Sequence, residues 1–406
     1  MKDIKIEMMC QRNYWEDVIE HGLDKSMDKS LLYALTNPAG RIAVIQAIEE
    51  GRYIIQPPVI QQLPKPDGGI REIFVNTQMD RIVLSIINQI YMNLYGDRIH
   101  PACVSYQKGI GVNRIVKDVI HRLQNGYSGV KIDIHHYFDD VNKETLHSIL
   151  DEFDTGSPID KVVRDYYTDE RAIFKGEEIQ RYGGFKQGAA ISTFFANMGL
   201  RDIDEIFGDR PDTLYVRYSD DVLLISKTVE DDLQIIRELL AKKGLELNEK
   251  KTQYIAPDSE FTFLGVKIHG TEVDISDDSV RRFKNEIRKI TKMRKGMKTK
   301  SRTTQRRAIK KINDYLYLAY MKNPSNFGWA HYFFSLCTTD KTIRELDCFV
   351  KDHLKAMYTG KWNAVTNMHK TSNEDLEAMG YVSMKNRYDL FKMNRELFKA
   401  DILRRH

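Results

Sequence analysis

The stretch LYVRYSDDVLLIS, from Leu214 to Ser226, sets two adjacent carboxylates, Asp220 and Asp221, between two apolar runs rich in β-branched residues. Such runs around a short polar turn predict a β-hairpin that carries both acids at its tip. Neighbouring carboxylates repel each other, so this tip needs a counter-charge, which a divalent cation supplies. Because Asp also favours ordinary tight turns, the hairpin by itself leaves both interpretations open.

A two-metal site needs a further acid from another element, and Asp133 is the best candidate. It interrupts the run GVKIDI, whose apolar, β-branched residues predict a buried strand. A strand aspartate beside a hairpin with two more acids suits two Mg²⁺ ions about 4 Å apart. Neither feature is specific alone, but their joint occurrence predicts a metal site.

The overall composition bounds the class of protein. A chain of 406 residues is too long for one ordinary core and predicts two or three domains. It has no run of about 18 apolar residues, and its charged N-terminal segment does not resemble a secretory signal. The four cysteines are scattered without a CxxC pair, which argues against a zinc ribbon or a disulfide framework. We therefore expect a cytoplasmic protein without membrane contact.

The positive charge is concentrated in one segment. The net charge is only +4, yet the segment from Arg281 to Lys311 carries fifteen Lys or Arg residues and one acid, Glu286. Its apolar residues recur at helical spacing. Such a segment is either a solvated helical face or a surface that follows phosphates. So many cations with a single acid favour a nucleic-acid partner.

Periodicity and turn signals predict an α+β core followed by a helical region. Helices are expected over the first fifty or so residues, after the N-cap Asn142, and as one helix over 191–207. Paired strands are expected around the turn Pro66–Gly69, one strand near Gln253–Ile255, and two strands over 261–276. Beyond residue 275 the pattern is helical.

The motifs of the chain resemble those of the reverse transcriptases, in particular the bacterial, group II intron-like (non-LTR) enzymes. YSDD at 218–221 resembles their Y-x-D-D box, VKIDIHHYFDDV their first aspartate motif, and GGFKQGAAISTFFANMGL their Gln-Gly box. GLELNEKKTQ resembles their lysine-bearing segment and FTFLGV their primer-grip box. LPKPDGGIREI, MDRIVLSIINQI and SYQKGIG resemble their fingers motifs. The boxes follow one another in the family's order over roughly residues 51–270.

The resemblance implies a right-hand polymerase fold of the α+β class, with fingers, palm, a helical thumb and a C-terminal helical region. An N-terminal helical extension is expected at 1–55, fingers at 56–127 and 151–186, and palm at 128–150 and 187–270. The basic segment falls in the thumb, expected at 271–330, and the remaining helices at 331–406.

The resemblance also implies roles for individual residues. The residues expected to perform the chemistry are Asp133, Asp220, Asp221 and Lys251, with Lys250 as the alternative to Lys251. The expected ligands of two Mg²⁺ ions, which Mn²⁺ could replace, are Asp133, Ile134, Asp220 and Asp221. The expected dNTP contacts are Lys65, Arg71, Phe138, Gln187 and Gly188. The expected primer and nucleic-acid contacts are Phe263, Leu264, Gly265, Arg288, Lys292 and Lys295.

Several of these roles have a simple chemical reason. Lys251 could protonate the leaving pyrophosphate. The ring of Phe138 would exclude a 2′-hydroxyl, with an ordinary core position as the alternative. Gly188 permits close backbone approach, and the Gln187 amide can hydrogen-bond near the template or the incoming base.

The chain departs from the family pattern at several points. Lys186 stands where the family usually has Pro, SYQKG replaces Tyr-Gly-Phe-Arg-x-Gly, and AAIST lacks the Ser-Pro of intron-encoded enzymes. These departures weaken an intron-mobility role more than polymerase chemistry. The retron signatures Asn-Ala-x-x-His and Val-Thr-Gly are not matched either, because WNAVTNMH has another spacing and KIHGTE other residues.

By elimination we expect a stand-alone bacterial enzyme of the abortive-infection or unknown-group type, which copies a noncoding RNA in antiphage defence. Retron-like, diversity-generating and intron-encoded enzymes are the alternatives. The intron-encoded alternative is disfavoured, because such an enzyme would normally be longer.

Expected partners are the RNA template, the DNA primer and product, and dNTPs, with an accessory protein or self-association left open. An RNA-binding protein with template-independent or no polymerase activity is the alternative from another class. Two other classes with an acidic hairpin fit the sequence less well. Nucleotide cyclases lack the Gln-Gly box, and viral-type RNA polymerases usually carry Gly before the Asp pair, where this chain has Ser219.

Overall fold

The computed structural model describes residues 6–21, 27–64, 69–105, 111–292, 301–318, 328–361 and 370–398. Two predicted contact residues, Lys65 and Lys295, lie outside these ranges. The chain forms two compact units, one of Met1–Tyr106 with Val130–Tyr254 and one of Gln107–Gly129 with Ile255–His406. The predicted α+β class with a helical C-terminal region is confirmed.

The helices alternate with strands up to residue 275 and follow one another afterwards. The α-helices before residue 200 are α1 (Arg12–His21), α2 (Lys29–Thr36), α3 (Pro38–Glu49), α4 (Gln78–Tyr95), α5 (Val112–Gln124), α6 (Tyr137–Asp140), α7 (Lys143–Glu152), α8 (Pro158–Thr168) and α9 (Ser192–Gly199). The later ones are α10 (Arg201–Gly208), α11 (Val229–Ala241), α12 (Asp277–Thr291), α13 (Arg302–Asn313), α14 (Trp329–Leu336), α15 (Lys341–Thr359), α16 (Asn373–Ala378) and α17 (Met384–Met393). Short 3₁₀ helices occur at Ile6–Cys10 and Gly96–Arg98, and a π-helical turn at Asp314–Leu318.

The strands form three sheets. In chain order they are β1 (Val59–Pro64), β2 (Ile70–Val75), β3 (Ser128–Asp133), β4 (Arg171–Phe174), β5 (Glu177–Gln180), β6 (Leu214–Tyr218), β7 (Asp221–Ser226), β8 (Gln253–Ile255), β9 (Glu260–Phe263), β10 (Val266–His269) and β11 (Glu272–Ile275). Their orders are β2-β1-β4-β5, β6-β7-β3-β8 and β11-β10-β9.

The first unit surrounds the long helix α4. Its N-cap Thr77 accepts a hydrogen bond from the Asp80 amide, and an apolar stripe along the helix is fully buried. The helix packs against α1 and α9. The predicted strands around 66–69 are confirmed as the antiparallel pair β1 and β2. The predicted N-cap Asn142 is confirmed as well, since its side chain accepts from the Thr145 amide at 2.9 Å.

Two further features of the first unit differ from the sequence expectation. The strands β4 and β5 were missed, because each is only four residues long and three of the four residues of β5 are polar or charged. The single helix expected over 191–207 is wrong, because the chain breaks at Leu200 into α9 and α10. At Gly199 a Cβ would lie 2.7 Å from the Tyr137 hydroxyl and 2.8 Å from the Phe185 ring, so the packing requires glycine where α9 ends.

The second unit combines a small antiparallel sheet with helices. Only two strands were expected over 261–276, but three are present. The expectation failed because Leu264 and Gly265 alone form the turn between β9 and β10, with φ of 48° and 81°. Helix α12 packs against α13 and α15, while α5 packs against α14. Helix α5 therefore groups with the C-terminal helices, although it falls within 56–127, where the sequence suggested fingers. The predicted domain bounds remain a proposal.

The helical character beyond residue 275 is confirmed for the described residues. Within those ranges, no helix combines the length and apolarity needed to cross a bilayer. All four cysteines are free thiols, with Cys103 and Cys337 buried and Cys10 and Cys348 exposed.

Candidate functional site

The structure brings the three predicted acids together on neighbouring strands. Asp133 is the last residue of β3, and Asp221 is the first residue of the adjacent strand β7. Asp220 lies in the two-residue turn between β6 and β7, where Tyr218 pairs with Asp221. The Ile134 amide donates to the Asp220 carbonyl at 3.1 Å. This hydrogen bond joins the turn directly to the residue that follows Asp133.

Asp133 is held by two side chains from the segment after α11. Asn248 donates from Nδ2 to its Oδ1 at 3.0 Å, and Lys251 Nζ lies 3.2 Å from its Oδ2. The Asn248 amide also donates to the Asp133 carbonyl at 2.8 Å. Lys250 is exposed and forms no ion pair with any described residue. Of the two candidate lysines, Lys251 is therefore the one that reaches the acids, and Asn248 is a contact the sequence analysis missed.

Asp221 faces a second lysine that the sequence analysis also missed. Lys131 Nζ lies 4.0 Å from Asp221 Oδ1, and the Asp221 side chain is 45% exposed. Lys131 precedes Asp133 by two residues in β3, so both side chains project from the same face of the strand. The alternation VKID could have revealed Lys131, because residues two apart on a strand share their neighbours.

Burial and mutual repulsion raise the pKa values of Asp220 and Asp221. Burial raises the pKa of Asp220, and the negative charge of Asp133 raises it further, while the positive charge of Arg71 lowers it. Burial also raises the pKa of Asp221, where Lys131 opposes the effect and the other two acids add to it. The surrounding cations thus compensate the acids only in part, and an additional cation would be stabilised here.

The donor set suits Mg²⁺ in its chemistry. Carboxylate oxygens are hard ligands, and Mg²⁺ in polymerase sites uses one or two carboxylates together with water and substrate phosphates. Among the described residues, no three Asp, Glu, His or Cys side chains already surround a single point. The contacts explain this arrangement, because Asp133 turns to Lys251 and Asp221 to Lys131. The acids form a partly exposed group of carboxylates, and a cation held there could take its remaining ligands from water and phosphate oxygens.

The predicted Gln-Gly segment lies along strand β2. The Gln187 carbonyl accepts from the Phe74 amide at 2.7 Å. Gly188 has φ of 111°, and a Cβ there would lie 3.1 Å from the Phe74 carbonyl oxygen. Only glycine allows this approach. Arg71, three residues earlier in β2, has an exposed side chain whose charge acts on Asp220.

Phe138 is partly buried beside the acids' strand. It lies in α6 and packs edge-on against Phe185 and Tyr137, with ring centroids 6.3 Å and 5.7 Å away. It is packed against the first unit's core without being enclosed by it. This position leaves the predicted contact with a sugar as a proposal.

Lys186, the departure from the family's proline, is buried. Its ammonium donates to the carbonyls of Tyr166 and Asp169 at the C-terminal end of α8, the second at 2.6 Å. It also lies 4.4 Å from the centroid of the Tyr166 ring. These contacts satisfy carbonyls that the helix leaves unpaired. Lys186 thereby fastens the loop that precedes Gln187.

The predicted primer-grip residues lie in the second unit. Phe263 is buried in the sheet, and the turn Leu264–Gly265 is half-buried, so the turn is the more accessible part of the predicted contact. The Leu264 carbonyl accepts from the Tyr332 hydroxyl at 2.6 Å, and the Gly265 carbonyl from Ser279 Oγ at 3.0 Å. These hydrogen bonds hold the turn on the helices that follow it.

Part of the basic segment is compensated by acids from elsewhere. Arg281 lies 2.8 Å from Asp278, and Lys284 lies 2.5 Å from Glu345. Arg288, a predicted nucleic-acid contact, donates to Asn285 and lies over the Phe349 ring.

Lys292, another predicted contact, is exposed at the end of α12. Four more cations form an exposed face of α13, here called the α13 basic face, and make no ion pair with the described residues: Arg306, Arg307, Lys310 and Lys311. The sequence analysis did not single out this face, although the i, i+4 spacing of its members could have revealed it.

Comparison with known proteins defines the family. Residues 63–268, about half of the chain, match the family model described as reverse transcriptase (RNA-dependent DNA polymerase). The chain belongs to the reverse transcriptase family.

Two curated relatives are similar at low identity. A putative COX1/OXI3 intron 1 protein of Saccharomyces cerevisiae is 21% identical over 320 residues, which cover 64% of this chain and 37% of that protein. The retron Ec48 reverse transcriptase of Escherichia coli is 24% identical over 267 residues, which cover 60% of each protein. The chain thus spans less than two thirds of the length of either relative.

Solved telomerase structures also match. An apo telomerase from Candida tropicalis is 16% identical with a TM-score of 0.49, covering 86% of this chain and 62% of that chain. A likeness at this level supports no functional inference.

The buried Lys186 predicts a pH dependence of stability. Burial lowers its pKa from 10.5 to about 8 in the folded protein, although Asp169 and Glu170 act in the opposite direction. Between these two values the unfolded chain binds more protons, so the free energy of unfolding rises with pH. We expect the wild type to gain stability relative to Lys186→Met as pH increases from about 7 to about 10, measured by urea unfolding. A difference that stays constant would contradict the prediction.

Proposed function

We propose that this chain is an RNA-directed DNA polymerase that adds dNTPs to the 3′ end of a primer by two-metal-ion catalysis. The observation that carries the proposal is the group of Asp133, Asp220 and Asp221 on adjacent strands of a reverse transcriptase family member. Three acids with incomplete compensation have no evident structural purpose at the ends of two central strands. They suit the divalent cations that accompany a triphosphate.

In this proposal the acids and the Ile134 carbonyl hold two Mg²⁺ ions, which Mn²⁺ could replace. Such ions would lower the pKa of the primer 3′-hydroxyl and neutralise charge on the leaving pyrophosphate. Lys251 has two contributions of its own. It orients Asp133 through their ion pair, and its ammonium can donate a proton to the pyrophosphate oxygen.

The nucleotide would lie between the acids and strand β2. Arg71 is exposed there and already acts electrostatically on Asp220, so its guanidinium can bind triphosphate oxygens. The resemblance assigns Lys65 the same task. Gly188 brings the backbone of the Gln-Gly segment against β2. Phe138 would exclude a 2′-hydroxyl beneath the sugar.

We propose that the second unit binds the nucleic-acid backbone. The turn Leu264–Gly265 would contact the primer end. Lys292 and the α13 basic face offer exposed cations without acidic partners among the described residues. Arg288 contributes less free charge than the sequence suggested, because it already contacts Asn285 and Phe349. Phosphate contacts of this kind provide affinity without sequence preference.

For the biological role, we propose a stand-alone bacterial enzyme that copies a dedicated noncoding RNA in antiphage defence, in the cytoplasm. The departures at the Gln-Gly box and the unmatched retron signatures support this role. The similarity to a retron reverse transcriptase favours the retron-like alternative. Sequencing the nucleic acid that copurifies with the protein distinguishes the two. Bound RNA without any DNA product would favour the RNA-binding alternative.

The acids provide the central test. In Asp220→Asn with Asp221→Asn we expect Mg²⁺-dependent dNTP incorporation on a primed RNA template to fall by at least ~10³-fold, because the cation site loses two anionic ligands. The matched control is Asp231→Asn, an exposed acid in α11 of the same unit. It should keep wild-type activity. Full activity in the double variant would exclude the proposed site.

The adjacent lysines allow a sharper test of proton donation. We expect Lys251→Met to reduce kcat by about 10²-fold or more, and Lys250→Met to leave it within about twofold. Lys251→Arg keeps a cation beside Asp133 but cannot release a proton near neutral pH, so it should remain impaired. Recovery of kcat in Lys251→Arg would mean that Lys251 only orients the acid.

The α13 basic face predicts a change in salt dependence. Reversing Arg306→Glu with Lys310→Glu should weaken RNA binding and reduce the slope of log affinity against log salt by at least about 1.4, since each lost phosphate contact removes about 0.7. The control is Lys29→Glu with Lys341→Glu, which changes the net charge equally at two helix N-termini. Equal slopes in both variants would mean that the α13 basic face points to solvent.

A further inference from the structure

A fully buried arginine lies behind the turn that carries Asp220. Arg217 in β6 donates to both carboxylate oxygens of Asp204 in α10, from Nε at 2.7 Å and from Nη2 at 2.5 Å. Asp204 is also buried and accepts from the Tyr215 hydroxyl at 3.1 Å. A buried charge is stable only with such a partner. The guanidinium is therefore fixed by the helix α10 rather than by the hairpin alone.

The same guanidinium reaches two backbone carbonyls. Nη1 donates to the Ser219 carbonyl at 3.2 Å, and Nη2 to the Asn197 carbonyl at 2.9 Å. Asn197 lies in the last turn of α9, where carbonyls lack a partner within the helix. The donors of a guanidinium form a rigid planar fork. These contacts therefore fix the position of the Ser219 carbonyl relative to both α9 and α10.

Ser219 controls how the chain enters Asp220. Its φ of 59° lies in the left-handed region that residues other than glycine rarely adopt. Its amide donates to Ser105 Oγ at 2.5 Å, and its carbonyl accepts from Arg217. That carbonyl belongs to the peptide bond that leads into Asp220, so its direction determines where the Asp220 side chain begins. Buried side chains thus hold both polar groups of a strained residue.

We propose that Arg217 is a positioning residue for the acidic site, which holds the turn in the conformation that keeps Asp220 beside Asp133. Repulsion between these carboxylates pushes the turn away from β3. The hydrogen bond from Ile134 opposes this on one side of the turn, and Arg217 opposes it from behind. The inference rests on the proposed function, because it matters only if Asp220 helps to bind a cation.

A second ion pair in the same unit provides a control that does not touch the turn. Arg210 Nη1 lies 2.6 Å from the buried carboxylate of Asp232. Asp232 in turn accepts from Ser226 Oγ at 2.6 Å. Ser226 is the last residue of β7, whereas the acids lie at its first residue. Changes at this pair should affect stability without moving Asp220.

The main test variant is Arg217→Met with Asp204→Asn, which neutralises both partners together and leaves no unpaired buried charge. Its control is Arg210→Met with Asp232→Asn.

Two readouts report on the site. The first is Mn²⁺ binding to the full chain, monitored through the electron paramagnetic resonance signal of the free ion. The second is kcat and KM for a dNTP. Urea unfolding reports stability. We expect 10–100-fold weaker Mn²⁺ binding and a parallel fall in kcat for the Arg217 variant, as for other residues that orient metal ligands. The control should keep both values.

Arg217→Lys is the second variant. It retains the charge opposite Asp204, but an ammonium lacks the fork needed to hold the Ser219 carbonyl as well. We expect near wild-type stability with weakened Mn²⁺ binding, so this variant decides the matter if the double variant does not fold. Wild-type Mn²⁺ affinity in Arg217→Lys, or an equal loss in the Arg210 control, would overturn the inference. A wild type that binds Mn²⁺ through Asp220 but does not polymerise would contradict the proposed function alone.

Discussion

The buried contact between Arg217 and Asp204 is the constraint on which the acidic site depends. It joins β6, α9, α10 and the turn before Asp220 through one guanidinium. The break between α9 and α10 makes this possible, because it frees the Asn197 carbonyl at a helix end. A buried ion pair of this kind adds little net stability. Its value lies in a single arrangement in which all three guanidinium nitrogen atoms of Arg217 donate hydrogen bonds.

Around this anchor, each acid has its own cation. Asp133 contacts Lys251, Asp221 faces Lys131, and the charge of Arg71 acts on Asp220. Burial and mutual repulsion nevertheless raise the pKa of both Asp220 and Asp221. The neighbouring cations therefore offset the negative charge of the acids only in part. This balance separates it from an ordinary turn with two aspartates, which would be open to water and need no lysines.

The basic segment illustrates the limit of counting charges along a sequence. Fifteen cations and one acid suggested a surface without counter-ions. In the folded unit, Asp278 and Glu345 lie against Arg281 and Lys284, and Arg288 covers an aromatic ring. Lys292 and the α13 basic face remain exposed without an acidic partner among the described residues. A charge count over one segment omits acids just outside it, such as Asp278, and acids from distant positions, such as Glu345.

The sequence by itself determined the α+β class, the hairpin with its two acids, the strand ending at Asp133 and the membership of a polymerase family. These features are local, because turn residues, β-branched runs and motif spacing act within about twenty residues. Only the tertiary structure decided that Lys251 rather than Lys250 reaches Asp133, that Lys131 faces Asp221, and that Arg217 holds the turn. Each of these contacts depends on strand order or helix packing, which brings together residues far apart in the chain. Spacing along the sequence shows only that Lys131 shares a strand face with Asp133.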